Sequence, residues 1–329
     1  MYIVEVTPQD VVASRFAISP LIETMHAQWV LHGHLRAGAH LRWAERWREP
    51  YREVERRHPV LRAAVAISGN LGSGNVDFIA PPPAGINVPF ERELELMRAT
   101  PVRQAHEEID RALAGRQVAR DLRETLYRDD IVTLLADAFE ELWTEIVSLS
   151  WPRLRAILER DVVQRAGQLA TYGWAAALDD LSDRVAWRSD GRWGHLEVRL
   201  SSNVDERHRL GGKGLLFLPS AFAQGTGIFL DDAWPYGLIY PARGIAAAPD
   251  ASTAPLSTLI GRTRSRLLTE LASPATTTHL ASLFDLSLGT TSGHLTALRK
   301  TGLVTATRTG RRVLYTRTPL GDALLDGKL

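Results

Sequence analysis

Residues 287–302, "SLGTTSGHLTALRKTG", decide how this chain is read. Ser287 is a residue type that caps a helix, and Thr291, Leu295 and Leu298 follow at spacings of four and three. That spacing puts the three on one inward face. Gly289, Thr290, Gly293, His294 and Ala297 fall on the other side. Small and polar groups there let a helix enter a major groove closely. Gly302 suits the left-handed position that ends a helix.

Upstream, "SPATTTHLASLFDLS" offers Thr276 or Thr277 as a cap, with Leu280, Ala281 and Leu283 as the apolar face of a short helix. Downstream, "LVTATRTGRRVLYTRT" alternates like a hairpin. Val304 and Ala306 share a face, Thr309-Gly310 make the turn, and Val313 and Tyr315 return. Helix, turn, helix and hairpin together predict a winged helix-turn-helix over residues 256–329. In that layout Thr290, Gly293 and His294 approach base edges, while Ser292, Arg299 and Lys300 reach phosphate. Arg308, Arg311 and Arg312 on the wing grip the flanking backbone or minor groove.

Charge agrees. From Leu256 onward ten Lys and Arg stand against four Asp and Glu, a net +6, and the rest of the chain carries −5. No acidic residue lies between Leu288 and Arg317, where six basic ones do. A near-neutral total thus hides a basic module on an acidic body, the electrostatic footprint of a double-stranded DNA partner. The alternative, a winged helix used for protein contact, leaves the basic wing without a purpose.

The strings "RSRLLTELASPATTTHLASLFDLS", "TSGHLTALRKTGLV" and "RTGRRVLYTRTPLGDALL" resemble the ArsR family of winged-helix regulators over about 70 residues, Leu256 to Leu325. The resemblance implies a homodimer that represses transcription and releases DNA when an inducer binds. One position departs: Gly293 stands where relatives often carry a basic or polar residue. Many relatives sense metals. This chain has no cysteine, and no histidine follows the wing. Neither a thiolate site nor a paired Asp/His site is therefore expected, and no metal or other cofactor is assigned. His26, His32, His34 and His40 are read as polar-core or surface histidines.

"AAAPDASTAP", residues 246–255, reads as a linker. It separates a body, residues 1–245, that resembles an uncharacterised domain fused to such modules in actinobacterial regulators. The strings are "RFAISPLIE", "DFIAPPP", "WPRLRAILERDV" and "LPSAF". No activity comes with that resemblance. The body's pattern is a strand at Tyr2–Val6 and a helix capped by Thr7. Helices follow over 20–31, 39–58, 103–114, 120–148 and 152–181, then strands over 184–240. The expected class is α+β, a mainly helical domain with one antiparallel sheet followed by the winged helix. "LGGKGLL" (210–216) lacks P-loop spacing and is read as a hairpin turn.

All nine tryptophans lie in the body: Trp29, Trp43, Trp47, Trp143, Trp151, Trp174, Trp187, Trp193 and Trp234. Most are assigned to the core, with a small-molecule effector pocket among them as a further expectation. A dimerisation or protein-partner body, or an enzyme tethered to DNA, are the alternatives. No nucleophile elbow, zinc motif or dinucleotide fingerprint supports the enzyme. No run approaches the ~20 apolar residues of a membrane span, and no signal peptide is read at the start. A cytoplasmic, bacterial protein is expected, the latter from only three lysines against many arginines.

Overall fold

A computed structural model describes residues 1–68, 76–83, 85–178, 181–182, 184–189, 194–200, 205–243, 259–271, 274–284, 286–309 and 312–325. The expected linker, 246–255, lies outside the described residues. The chain is α+β and forms two compact units, residues 1–151 with 158–243, and residues 244–329 with 152–157.

In the first unit the helices are α1 (Pro8–Ala13), α2 (Pro20–His32), α3 (Leu41–Arg57), α4 (Val60–Ser68), α5 (Phe90–Arg98), α6 (Val102–Leu113), α7 (Arg120–Leu126), α8 (Ile131–Leu142) and α9 (Ser148–Leu178) apart from its residues 152–157. Its strands are β1 (Tyr2–Val6), β2 (Arg15–Phe16), β3 (Val185–Ser189), β4 (Gly194–Val198), β5 (Glu206–Arg209), β6 (Leu216–Ser220), β7 (Gly227–Phe229) and β8 (Gly237–Pro241).

Helix α2 is the axis of this unit. Every residue from Pro20 to Leu31 is buried, and α3, α4, α5, α8 and β6 pack around it. A helix buried on all sides usually reads as apolar all round, yet α2 carries Glu23, Thr24, His26 and Gln28. Each is tied. Glu23 accepts from the Ala221 amide at 3.0 Å, and the Thr24 hydroxyl donates to the Pro20 carbonyl. His26 Nδ1 lies 2.8 Å from Ser220 Oγ, and Gln28 Nε2 donates to the Leu61 carbonyl. Ser19 caps α2 by accepting from the Ile22 amide, and the buried Glu93 carboxyl receives Ser19 Oγ–H and the Leu21 amide. An acid at a helix N-terminus meets unpaired amides and the positive end of the dipole.

The helix expected over 120–148 is broken. Arg128 clasps Asp130 with two bonds of 2.8 Å, a two-residue spacing that a helix would point to opposite sides. A π-turn at Trp143–Val147 then joins α8 to α9, and Gly173, at φ 81°, kinks α9. Helices α4 and α5 are additions to the expected set.

The single antiparallel sheet is corrected to two mixed ones. The first has the order β3-β4-β1-β5, with β1 antiparallel to β4 and parallel to β5. The second has the order β2-β6-β8-β7, with β6 parallel to both β2 and β8. The reason lies in the strands. β6 is buried at every position and β8 at all but its last, the continuous apolar run of parallel strands covered on both faces. Val4, Leu196 and Val198 of the first sheet share one core with Phe217, Leu238 and Tyr240 of the second.

Candidate nucleic-acid interface

The second unit contains α10 (Arg262–Glu270), α11 (Thr277–Phe284), α12 (Leu288–Lys300), β9 (Val304–Thr309), β10 (Arg312–Arg317) and α13 (Pro319–Leu325). Thr276 is the cap of α11, its hydroxyl accepting from the His279 amide at 3.2 Å. Ser287 caps α12 and accepts from the Thr290 amide at 3.1 Å. Leu280, Leu295 and Leu298 meet Leu267, Leu268, Leu271, Leu303 and Val304 in one apolar cluster. Thr291 is also fully buried, its hydroxyl returned to the Ser287 carbonyl. Gly302, at φ 71°, ends the helix and lets the Leu303 amide reach back to the Leu298 carbonyl at 3.0 Å.

With this face inward, the opposite face is fixed by about 100° of turn per residue. Gly289, Thr290, Ser292, Gly293, Arg299 and Lys300 are exposed, and His294 and Ala297 are half-buried. Gly289, Gly293, Thr296 and Lys300 form the centre line of that face. Thr296 escapes a reading of the sequence because it breaks no pattern and carries no charge. No atom lies within 4 Å of where a Gly293 side chain would begin. The Thr290 hydroxyl is held 2.8 Å from Ser287 Oγ, so it serves the cap as well as the surface. Arg299 and Lys300, at the last turn, make no ion pair with any described residue.

Strands β9 and β10 pair antiparallel, with Thr309 opposite Arg312, Arg308 opposite Val313, and Tyr315 opposite Ala306. Ala275 adds a bridge to Tyr315, with bonds of 3.0 and 2.8 Å. Opposed residues share a face and neighbours alternate. Arg308 and Val313 therefore share one face of the ribbon, and Ala306 and Tyr315 share that same face. Arg308 is exposed. Arg311 and the Gly310 turn lie outside the described residues.

Arg317, one of the six basic residues of the acid-free span, has a structural task. It pairs with Asp322 at 2.7 Å and donates to the Thr269 carbonyl. Gly321 passes so close that a Cβ would lie 2.4 Å from the Leu303 carbonyl oxygen.

Elsewhere the geometry sorts the remaining candidates. The glycine-rich 210–216 segment is no hairpin turn, since β5 and β6 belong to different sheets. Gly211, Gly212 and Gly214 take positive φ, and the Gly212 and Gly214 amides close on Asp10 Oδ1 at 2.7 and 3.2 Å. The loop cradles this chain's own carboxylate. Burial raises the Asp10 pKa, but bonds from Thr7, Gly214 and Gly212 outweigh it and hold the group below its usual value.

The four N-terminal histidines disperse. His26 faces Ser220, His32 meets Glu55 at 2.7 Å, His40 Nε2 meets the Ala221 carbonyl, and His34 packs edge-on to Trp29. Among the described residues no group of three or more metal-ligating side chains converges.

The tryptophans also scatter. Trp143 stacks on Phe90 with centroids 4.5 Å apart, Trp174 packs on Trp187 and Phe217, and Trp43 donates to Ser150. Trp29 lines a cavity. Trp193 lies outside the described residues. No described helix is long and apolar enough to cross a membrane.

No family model, curated protein or solved structure matches this chain.

Proposed function

We propose that the chain is a sequence-specific transcription regulator, a homodimeric repressor that reads double-stranded DNA through a winged helix-turn-helix of ArsR type. Helix α12 is its recognition helix and the β9–β10 ribbon its wing. One observation carries the reading. The exposed face of α12 is small along its centre and ends in two cations that pair with no described residue, beside a ribbon bearing Arg308 and Arg312. Gly289 and Gly293 admit the backbone to the major groove, Thr290, Thr296 and His294 reach base edges, and Arg299 and Lys300 neutralise phosphates. Residues 1–245 sense a small non-metal ligand and control operator release.

The test begins by selecting a preferred duplex from a random library with the full-length protein, followed by anisotropy titrations at several salt concentrations. Arg311→Ala plus Arg312→Ala should weaken binding to every sequence. It should also reduce the slope of log K against log salt by about 2. Failure to enrich any sequence would refute DNA reading. An unchanged slope would remove the wing from the interface.

A further inference from the structure

The outer face of the first sheet carries a groove of about 590 Å³, lined by Ile3 and Glu5 of β1, His195 of β4, and Arg207 and Arg209 of β5. That volume falls within the ~300–1,000 Å³ typical of small-molecule sites. Alternation along the strands decides which side chains stand here. Val4, Val6, Leu196 and Val198 turn into the core, so Ile3, Glu5, His195 and Glu197 turn outward. Register sets the rows: Ile3 lies between Glu197 and Arg207, and Glu5 between His195 and Arg209. Charges on this face nearly cancel. Arg209 holds Glu5 at 2.6 Å, and Glu197 lies 3.5 Å from both Arg188 and His195. Arg207 is the remainder. It is exposed, pairs with no described residue, and stands beside the half-buried Ile3. Gly211 lines one end of the groove, and no atom lies within 4 Å of where its side chain would begin, so that end is roomy.

We propose that this groove binds a small apolar carboxylic acid, its carboxylate taken by the Arg207 guanidinium and its hydrocarbon part lying over Ile3. This names the ligand class of the sensing domain, and its regulatory meaning rests on the DNA-binding reading above. A guanidinium presents a planar fork of donors that meets a carboxylate with two parallel bonds. The face itself shows the pairing, since Arg209 already takes a carboxylate, that of Glu5. One cation left over suits a monoanion. A phosphate dianion would need a second cation, and Arg209 would have to give up Glu5 to supply it. An ammonium meets Arg207 as a like charge, and an uncharged ligand leaves the fork to water. Ile3 adds the apolar half of the recognition, because burying it under hydrocarbon removes from water a side chain that a purely solvated sheet face has no use for.

The experiment is isothermal calorimetry of the full-length protein against naphthoate, naphthamide and acetate. Naphthoate should bind saturably in the submillimolar range. Naphthamide lacks the charge and acetate lacks the rings, so each should bind at least ~10-fold more weakly. This comparison needs no variant. Arg207→Gln removes an exposed side chain without a described partner, so urea stability should hold while naphthoate affinity falls at least ~10-fold and naphthamide affinity stays as it was. The proposal is overturned by no saturable heat with naphthoate, by equal affinity for naphthamide or acetate, or by naphthoate affinity that survives Arg207→Gln. DNA is absent from this readout, so a failed groove leaves the operator measurements standing, and failed operator binding leaves the titration interpretable.

Discussion

Raising the pH from 6 to 8 should strip stability from the first unit, because three acids are folded into it in neutral form. Burial pushes Glu23, Asp77 and Glu93 each up to about 8. In the unfolded chain they ionise near their ordinary values, about 4. The folded state therefore holds protons that the unfolded state has released. The stability contributed by these groups is complete below pH ~4, and it is lost as pH climbs through the folded value near 8. Linkage makes the loss between pH 6 and 8 about 2 kcal/mol per carboxyl and about 7 kcal/mol for all three. His26 works the other way. Burial drives it down to about 3, so it is neutral when folded and protonates only on unfolding at low pH. It returns about 1 kcal/mol over the same range. The net change is a large part of the ~5–15 kcal/mol that holds a typical domain together.

Urea denaturation of the full-length protein, followed by tryptophan emission, reads this unit alone, since every tryptophan lies between residues 29 and 234. Unfolding at pH 7 should also release between about two and three protons, measurable from the dependence of calorimetric heat on buffer ionisation enthalpy. Glu93→Gln keeps an acceptor for Ser19 and Leu21 and cannot ionise, so it should remove about a third of the pH slope. A flat profile, a rising one, or a slope unchanged in Glu93→Gln would refute the reasoning.

Other perturbations separate fold from surface. Gly293→Leu meets no neighbouring atom and replaces a poor helix former, so thermal stability should hold or rise by up to ~1 kcal/mol while operator affinity falls at least ~10-fold. Equal affinity in an anisotropy titration would remove α12 from the groove. Asp161→Asn deprives the buried Arg165 of a carboxylate 3.1 Å away, one that also holds Tyr240 Oη and the Arg243 amide, and should cost about 3–5 kcal/mol in urea. Adding Arg165→Met should recover much of that loss, and a double variant no better than the single would contradict it. Gly321→Ala drives a methyl into the Leu303 carbonyl, and a loss on the order of 2 kcal/mol should appear as faster amide exchange at Leu303 and Thr318.

Local chemistry was legible in the sequence. Ser287 and Thr276 cap, Gly302 closes, and Thr291, Leu295 and Leu298 turn inward, because caps, left-handed glycines and a 3.6-residue period act over a few neighbours. The exposure of Gly289, Thr290 and Gly293 followed from the same period, whereas His294 and Ala297, read onto the same face, are half-buried. What the strands do was not legible. Alternation marks a strand without naming its partner, so only folding could put Tyr2–Val6 between β4 and β5 and run β6 parallel to β8. The 128–130 break, where Arg128 clasps Asp130, was invisible to periodicity. Ribbon register placed Arg308 opposite Val313 and Tyr315 opposite Ala306.

The sequence by itself determined a basic, acid-free helix-and-hairpin module on an acidic, tryptophan-rich body, because composition and short-range periodicity are written residue by residue. Tertiary structure alone decided that the glycines of 210–216 grip Asp10, and that Arg317 serves Asp322. Those pairings join residues far apart in the chain, and a buried polar group's partner is fixed by which elements pack together, a choice made by the whole core at once.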